Sequence, residues 1–404
     1  MSNSYVKKIN RKLKKRDGKY PSISIFSGIL GIELGLERAG FSTVFASDFD
    51  KHCKDVIEDN RDVFGEFPYL CEDITKLSPE RILELSGLKP GEAAMLAGGP
   101  PCQPFSKSGL RKGGADDKGQ LFKRYLDYLQ VIKPRAFILE NVRGMVSSNK
   151  GEDFRNILEH FDETGYTIYW KILDAANHGV PEFRQRLFIV GFRDRIRFSY
   201  PEIEHSNPDE PQSSLLDKPP YVTVGEALEG LPENVKGPLL SGKYSHLLAD
   251  IPEGMNYSHY TERRGHPDPL FEWRSKFWYF LLKTDRSKPS LTIQAYPGNN
   301  TGPFHWENRR MAVQEIQRIQ SFPDWLKINK PYMAGHRLVG NAVPPLLAES
   351  VGIQIKKALD EHVLISTDEY LEGRESALKN HLRVASGRGS GKSLAKKKAA
   401  ITAG

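Results

Sequence analysis

"PSISIFSGILGIELGLERAGFSTVFASD", residues 21–48, decides the fold. An apolar run, "SISIF" (22–26), leads through a glycine-spaced turn into a stretch whose Ile29, Ile32 and Leu36 share one helical face, and then into a second apolar run, "TVFAS" (43–47). Strand, helix and strand in that order predict parallel pairing, and a parallel sheet is covered on both faces. Further out, "AAMLA" (93–97) and "AFILE" (136–140) read as buried strands. Leu121, Tyr125, Leu129 and Ile132 mark one helix, and Phe154, Ile157, Leu158 and Phe161 another. "YTIYWKIL" (166–173) and "RLFIVGF" (186–192) are separated only by "DAANHGVPEFRQ", a connection suited to an antiparallel pair at the sheet edge. The expected class is α/β: a Rossmann-like sheet, mostly parallel with an antiparallel edge strand, beside a smaller irregular domain.

The totals agree with a soluble chain of two unequal domains. Its 404 residues are 39% hydrophobic and 27% charged, and no apolar stretch reaches the roughly 20 residues that span a bilayer. The basic start, "MSNSYVKKINRKLKKRDGKY", has no apolar segment behind it, so a secretory signal is not expected and a cytoplasmic location is. Three cysteines without paired spacing exclude a disulfide framework and a zinc site, and no metal is expected. A net charge of +7 makes a polyanion a plausible partner. After Arg197 the sequence turns Pro-, His- and aromatic-rich without a steady period. Helical spacing returns at "RRMAVQEIQRIQSF" and at Leu347, Val351, Ile355 and Leu359. The domains expected are a basic flexible segment 1–19, a catalytic and cofactor-binding domain 20–198 completed by 326–365, a small domain 199–325, and a basic disordered tail 366–404.

Gly28, Gly31 and Gly35 let a ligand approach the backbone at a helix N-terminus. Their spacing differs from the dinucleotide GxGxxG, which disfavours a nicotinamide oxidoreductase. Asp48, twenty residues after Gly28 at the next strand's end, is placed to accept hydrogen bonds from ribose hydroxyls; a helix-capping Asp and glycines that serve packing are the plainer alternative. Cys53 and Cys71 read as small buried hydrophobes. Cys102 does not: in "LAGGPPCQPFSKSGLR" (96–111) it follows a strand end between Pro100, Pro101 and Pro104, a stiff loop that holds a sulfur in one place. Attack requires the thiolate, so the site must supply positive charge, donors or a proton acceptor. Glu140 ends another strand in "FILENVRG"; burial would raise its pKa and let it donate a proton near neutrality. Arg184 and Arg186, at period two in "VPEFRQRLF", lie on one side of a strand entry.

Together, "FSGILGIELGLERAGF", "GGPPCQPFS", "ENV", "RQR" and "GNAVPP" resemble the ordered motifs of the DNA (cytosine-5) methyltransferase family of prokaryotic restriction-modification type, across roughly residues 22–357. The resemblance implies the S-adenosylmethionine-dependent methyltransferase fold and a target-recognition role for the small domain. Cys102 would add to carbon 6 of a cytosine flipped out of duplex DNA, Glu140 would bond ring nitrogen 3 and Arg186 the carbonyl oxygen, with Arg184 beside them. The methyl group comes from S-adenosylmethionine, contacted by Phe26, Gly28, Gly31, Asp48, Phe49, Asp73, Ile74, Pro101, Leu121 and Asn341. Asp73 would take the adenine amino group, and "KSGLRKGGADDKGQ" (107–120) would be a loop that closes behind the base. A glutamine usual before the first arginine of the eighth motif is Glu182 or Phe183 here, and the polar residue usual ahead of "GN" is replaced around Leu338. Arg309 and "MAVQEIQRIQSFP" resemble the ninth motif, with Ala312 and Gln314 where threonine and arginine are common. A monomer acting on double-stranded DNA is expected, with a cognate restriction endonuclease as a possible companion. The alternatives are a transfer RNA cytosine-5 methyltransferase, whose Cys-Phe-Thr tripeptide is missing, and a DNA-binding regulator with a decayed site.

Overall fold

The computed structural model describes residues 3–13, 18–101, 117–207, 209 and 217–385. Nine strands are found among them: β1 (Pro21–Ile25), β2 (Ser42–Asp48), β3 (Tyr69–Cys71), β4 (Met95–Gly98), β5 (Ala136–Val142), β6 (Thr167–Asp174), β7 (Glu182–Phe183), β8 (Gln185–Phe192) and β9 (Ser290–Leu291). Seven form one sheet in the order β3-β2-β1-β4-β5-β8-β6, and β7 pairs separately with β9. The runs in β1 and β4 are almost wholly buried, as strands covered on both faces must be. Strands β1 to β5 are mutually parallel, while β8 runs against both β5 and β6. The antiparallel pair expected at the edge is present, with the reversed strand as its inner member and β6 outermost.

That reversal has a chemical use. It brings the start of β8 to the same sheet edge as the ends of β1, β4 and β5, so Arg186 stands opposite Val142. Connections leave β1 and β4 in opposite directions, and at such a switch point a crevice opens beyond the carboxyl ends of the strands.

The principal helices are α1 (Ser4–Ile9), α2 (Gly31–Ala39), α3 (Lys51–Glu58), α4 (Asp117–Ile132), α5 (Glu152–Glu163), α6 (Val313–Ile319), α7 (Tyr332–Asn341), α8 (Pro345–Glu361) and α9 (Thr367–Ala385). On one face of the sheet Leu36 of α2 packs with Leu347, Val351 and Ile355 of α8. On the other, Tyr125, Leu129 and Ile132 of α4 meet Phe154, Ile157 and Phe161 of α5. A Cβ on Gly35 would lie 2.5 Å from the Glu349 nitrogen and 2.6 Å from the Ala348 Cβ. Gly35 therefore serves the contact between α2 and α8, which corrects its reading as a ligand-approach glycine.

A separate aromatic core lies within the small domain. Leu248, Ile251, Tyr257, Tyr260, Leu281 and Phe304 form it, with Tyr244, Phe271 and Phe280 set edge-to-face at 5.4–5.5 Å. Met311, Ile316, Ile319 and Phe322 instead join Ile29, Leu30 and Leu34 of the large domain. The independent core is thus narrower than the stretch 199–325 expected for the small domain.

Both ends of the described chain depart from expectation. Within the segment 1–19, expected to be flexible, residues 3–13 are docked: Tyr5, Val6 and Ile9 of α1 are buried, Asn3 caps α1 through Val6 N at 2.9 Å, and Arg11 pairs with Glu349 at 2.7 Å. The lysines around these apolar residues masked a short amphipathic helix. Within 366–404, expected to be disordered, α9 lies along the sheet edge, where the Tyr370 hydroxyl accepts from Ile168 N of β6 at 3.0 Å and Arg374 pairs with Asp162. Residues 386–404 lie outside the described residues.

Candidate active site

The turn after β1 forms one wall. Phe26, Gly28 and Leu30 have φ of 55°, 53° and 64°, a left-handed region that costs non-glycine residues on the order of 1–3 kcal/mol. Hydrogen bonds hold the turn there: Ser27 N donates to Ser47 O at 3.0 Å and Gly28 N to Asp48 Oδ2 at 2.8 Å. Around the Cβ position of Gly28 there is open space. Asp48 Oδ1 accepts from Asp50 N at 2.9 Å. Burial raises the proton affinity of Asp48, and the donors Asp50 N and Gly28 N oppose it. The adjacent Phe49 ring is 74% exposed. Asp50 caps α3 through His52 N and pairs with Arg337 of α7, closing this end.

The second wall is the loop after β4. A Cβ on Gly99 would lie 3.1 Å from Glu140 Oε2, so the missing side chain makes room for that carboxyl. Asn141, buried next to it, donates from Nδ2 to Pro100 O at 2.9 Å and accepts from Val142 N at 2.8 Å. The loop that leads to Cys102 is thereby tied to the end of β5. Cys102 itself lies outside the described residues, as do residues 107–116 of the expected closing loop, while 117–120 belong to α4.

Glu140 and Arg186 meet across two antiparallel strands. Arg186 faces Val142, which puts Glu140 diagonally opposite on the same face, and Arg186 Nε lies 2.9 Å from Glu140 Oε1. Burial raises Glu140 above the ordinary carboxylate range, against the pull of Arg186 and then Arg184. Arg184 differs from its expected catalytic presentation. It is 1% exposed, and its guanidinium donates to Gly340 O at 2.7 Å, Ala342 O at 2.9 Å and Ile293 O at 3.4 Å. Backbone carbonyls at the end of α7 and beyond β9 engage both terminal nitrogens, while Nε is buried with no hydrogen-bond partner among the described residues.

One cleft of about 400 Å³ unites these walls. Of the expected residues, Phe26, Gly28, Gly31, Asp48, Phe49, Pro101, Asn341, Glu140, Arg184 and Arg186 line it. Asp73, Ile74 and Leu121 do not. The Asp73 carboxylate accepts from Thr75 N at 2.9 Å and Thr75 Oγ1 at 2.8 Å, which hold its pKa down. Ile74 is buried, its carbonyl accepting from Tyr128, and Leu121 packs on the same cluster. The polar and aromatic lining also includes residues that the sequence does not single out as site candidates, among them Asp50, Asn141, Tyr296 and Arg337. Asn141 stands inside "ENV" and could have been noticed. Tyr296, 73% exposed, comes from an aperiodic stretch that carries no such signal.

The family model for C-5 cytosine-specific DNA methylase matches residues 20–357, a span holding both walls of the cleft. The chain belongs to that family. This methylase is an enzyme, a DNA (cytosine-5) methyltransferase. It is 37% identical over 360 residues to the Type II methyltransferase M.SacI of Streptomyces achromogenes, covering 82% of this chain and 91% of the relative. To the Type II methyltransferase M.NgoFVII of Neisseria gonorrhoeae it is 32% identical over 328 residues, 80% of this chain and 83% of the relative. Among solved structures, a prophage-encoded DNA modification methyltransferase of E. coli superposes with a TM-score of 0.58 at 22% identity, over 84% of the methylase and all but 1% of that chain (99%). The methyltransferase EhMeth of Entamoeba histolytica superposes at 0.55 with 17% identity, over 84% and 99%. These two likenesses support the fold. Among the described residues no helix is long and apolar enough to cross a membrane.

Proposed function

We propose that the methylase modifies carbon 5 of a cytosine flipped out of a specific duplex DNA sequence, using S-adenosylmethionine and a transient bond from Cys102 to carbon 6. The cleft residues suit that cofactor: open space beside Gly28, a carboxylate at Asp48 for ribose hydroxyls, and an exposed Phe49 ring for the adenine. Asp73, Ile74 and Leu121 stand outside the cleft lining, so contacts from them to the adenine end would rest on the family resemblance alone. When bound, S-adenosylmethionine supplies an electrophilic methyl group.

The observation that carries this reading is the Glu140–Arg186 pair at 2.9 Å, in one cleft with Pro101 and Asp48. A buried carboxyl with raised proton affinity can donate to ring nitrogen 3, drawing electrons as a thiolate adds to carbon 6. Arg186 would hold the carbonyl oxygen, and a flipped base gives up its stacking for these contacts. Arg184 would act as a positioning residue that anchors the start of β8 to the end of α7. Between Arg197 and Leu291 the small domain would read the target sequence through base-edge and phosphate contacts. The Type II designation of M.SacI and M.NgoFVII supports a restriction-modification role; the methylase would act as a monomer, with an endonuclease directed at the same site.

The test uses labelled S-adenosylmethionine with purified protein and duplex DNA. Methyl incorporation at carbon 5 of cytosine, abolished in Cys102→Ser, is the expected result. Equal incorporation by the variant would remove Cys102 from the mechanism, and incorporation into transfer RNA alone would favour the RNA reading. Bisulfite sequencing of a methylated plasmid reports the recognition site.

A further inference from the structure

Glu182 is fully buried and has no part in the chemistry above. It opens β7, which pairs in parallel with β9, Glu182 facing Ser290 and Phe183 facing Leu291. Its Oε1 accepts from Ile293 N at 2.7 Å and lies 3.5 Å from Arg184 Nη1, while Oε2 has no hydrogen-bond partner among the described residues. The same Arg184 guanidinium bonds Ile293 O, Gly340 O and Ala342 O. Three stretches of chain therefore meet on one ion pair: the entry to β8, the segment after β9 and the end of α7.

Charges alternate from this hub to the cleft in the order Glu182, Arg184, Glu140, Arg186. Burial raises the proton affinity of Glu182 as it does that of Glu140; at Glu182 the adjacent Arg184, the Ile293 N–H and then Arg186 oppose it and favour the carboxylate, and at Glu140 Arg186 and then Arg184 do so. The remaining titratable neighbours of Glu182 are the hydroxyls of Tyr279 and Tyr5, from the small domain and from α1. An ion pair with almost no water around it is screened weakly, so the charge of Glu182 is felt beyond its immediate partner.

We propose that Glu182 is a positioning residue that fixes Arg184 between the segment after β9 and the cleft, and offsets part of the positive charge that Arg184 sets against Glu140. Resting on the assignment of Glu140 as proton donor to the base, the sign follows. With the negative charge present, Glu140 keeps its proton to higher pH. Without it, the unopposed arginines favour the ionised carboxylate and the proton is lost sooner.

Glu182→Gln removes the charge while its amide oxygen can still accept from Ile293 N, and Glu182→Asp keeps the charge with a shorter reach. Single-turnover methyl transfer to duplex DNA is followed across pH, and the Glu140 carboxyl is titrated by 13C NMR in the free protein, its signal assigned by loss in Glu140→Gln. In Glu182→Gln the Glu140 midpoint and the alkaline limb of the rate should both fall by about half a pH unit or more. The acid-side plateau and the KM for DNA should change less than about threefold, since a positioning residue acting through charge leaves uniform binding intact. Glu182→Asp should keep the limb in place even where the rate is lower. An unmoved Glu140 midpoint in Glu182→Gln overturns the inference, as does an equal displacement in Glu182→Asp, which would make the effect one of packing. A lowered midpoint with an unmoved limb upholds the effect of Glu182 on Glu140 and overturns the assignment of Glu140 as the group behind the limb.

Discussion

At Glu140, burial and a guanidinium pull in opposite directions, and burial prevails. A carboxyl so placed can hold a proton that an exposed one would lose, which is the property the proposed chemistry needs. Glu140→Gln should lower kcat by about 10²–10⁴-fold, the usual contribution of general acid catalysis, with a much smaller change in KM for DNA; single-turnover rates check this. Deeper in the molecule, Glu33 of α2 is 2% exposed, hydrogen-bonded by Ser24, and raised by burial to about 7 from 4.5. Because its folded pKa lies above the unfolded value, its stability contribution is complete below about 4.5 and is lost as pH rises through about 7. The decline across that window should be about 3 kcal/mol, and Glu33→Gln should flatten it in urea unfolding on either side. Glu33 does not stand out in the sequence, since it sits in a run that reads equally well with the carboxylate facing water, and Glu182 stands out only as a departure from the eighth motif, with nothing to show its burial. Glu140 was legible because a strand end and "ENV" mark it together.

Among the elements, the turn into α2 and the face of α2 place opposite demands on glycine. Gly28 needs a positive φ and borders open space; Gly35 has an ordinary φ and no space at all. Gly35→Ala should force α2 and α8 apart and cost about 1–3 kcal/mol of stability, seen as a lowered Tm. Gly28→Ala should cost only about 1–2 kcal/mol, from backbone strain. It should also shrink the extra stability that added S-adenosylmethionine confers, which thermal melting with and without the cofactor measures. Six of the seven strands in the main sheet could be read from sequence because each is a run of apolar residues long enough to be unambiguous. β3 could not: it has three residues, of which only Tyr69 is buried. The glycine spacing signalled a tight turn correctly but could not separate ligand approach from helix packing, since that depends on α8, more than 300 residues away. The burial of Arg184 was hidden for the same reason, its acceptors Gly340 and Ala342 being remote in sequence.

Over the whole molecule, α1 ties distant parts together. Asn3 donates to Glu226 O at 2.6 Å, Asn10 to Asp324 Oδ2 at 2.8 Å, and Ile9 is buried in the core shared by α2 and α8. Ile9→Ala should destabilise the methylase by about 2–5 kcal/mol, the range for emptying a buried aliphatic site, measured by chemical denaturation. The small domain gave its existence away by composition, but its aromatic core could not be delimited from a stretch without period. The seating of α2 against α8 has a consequence for biosynthesis. A nascent polypeptide emerging from the ribosome exposes the first βα unit early, yet the surface that receives Gly35 is translated more than 300 residues later. Until residues 345–361 have cleared the exit tunnel, the face of the sheet that α8 shares with α2 stays incompletely covered, so the first βα unit waits on chain made long after it.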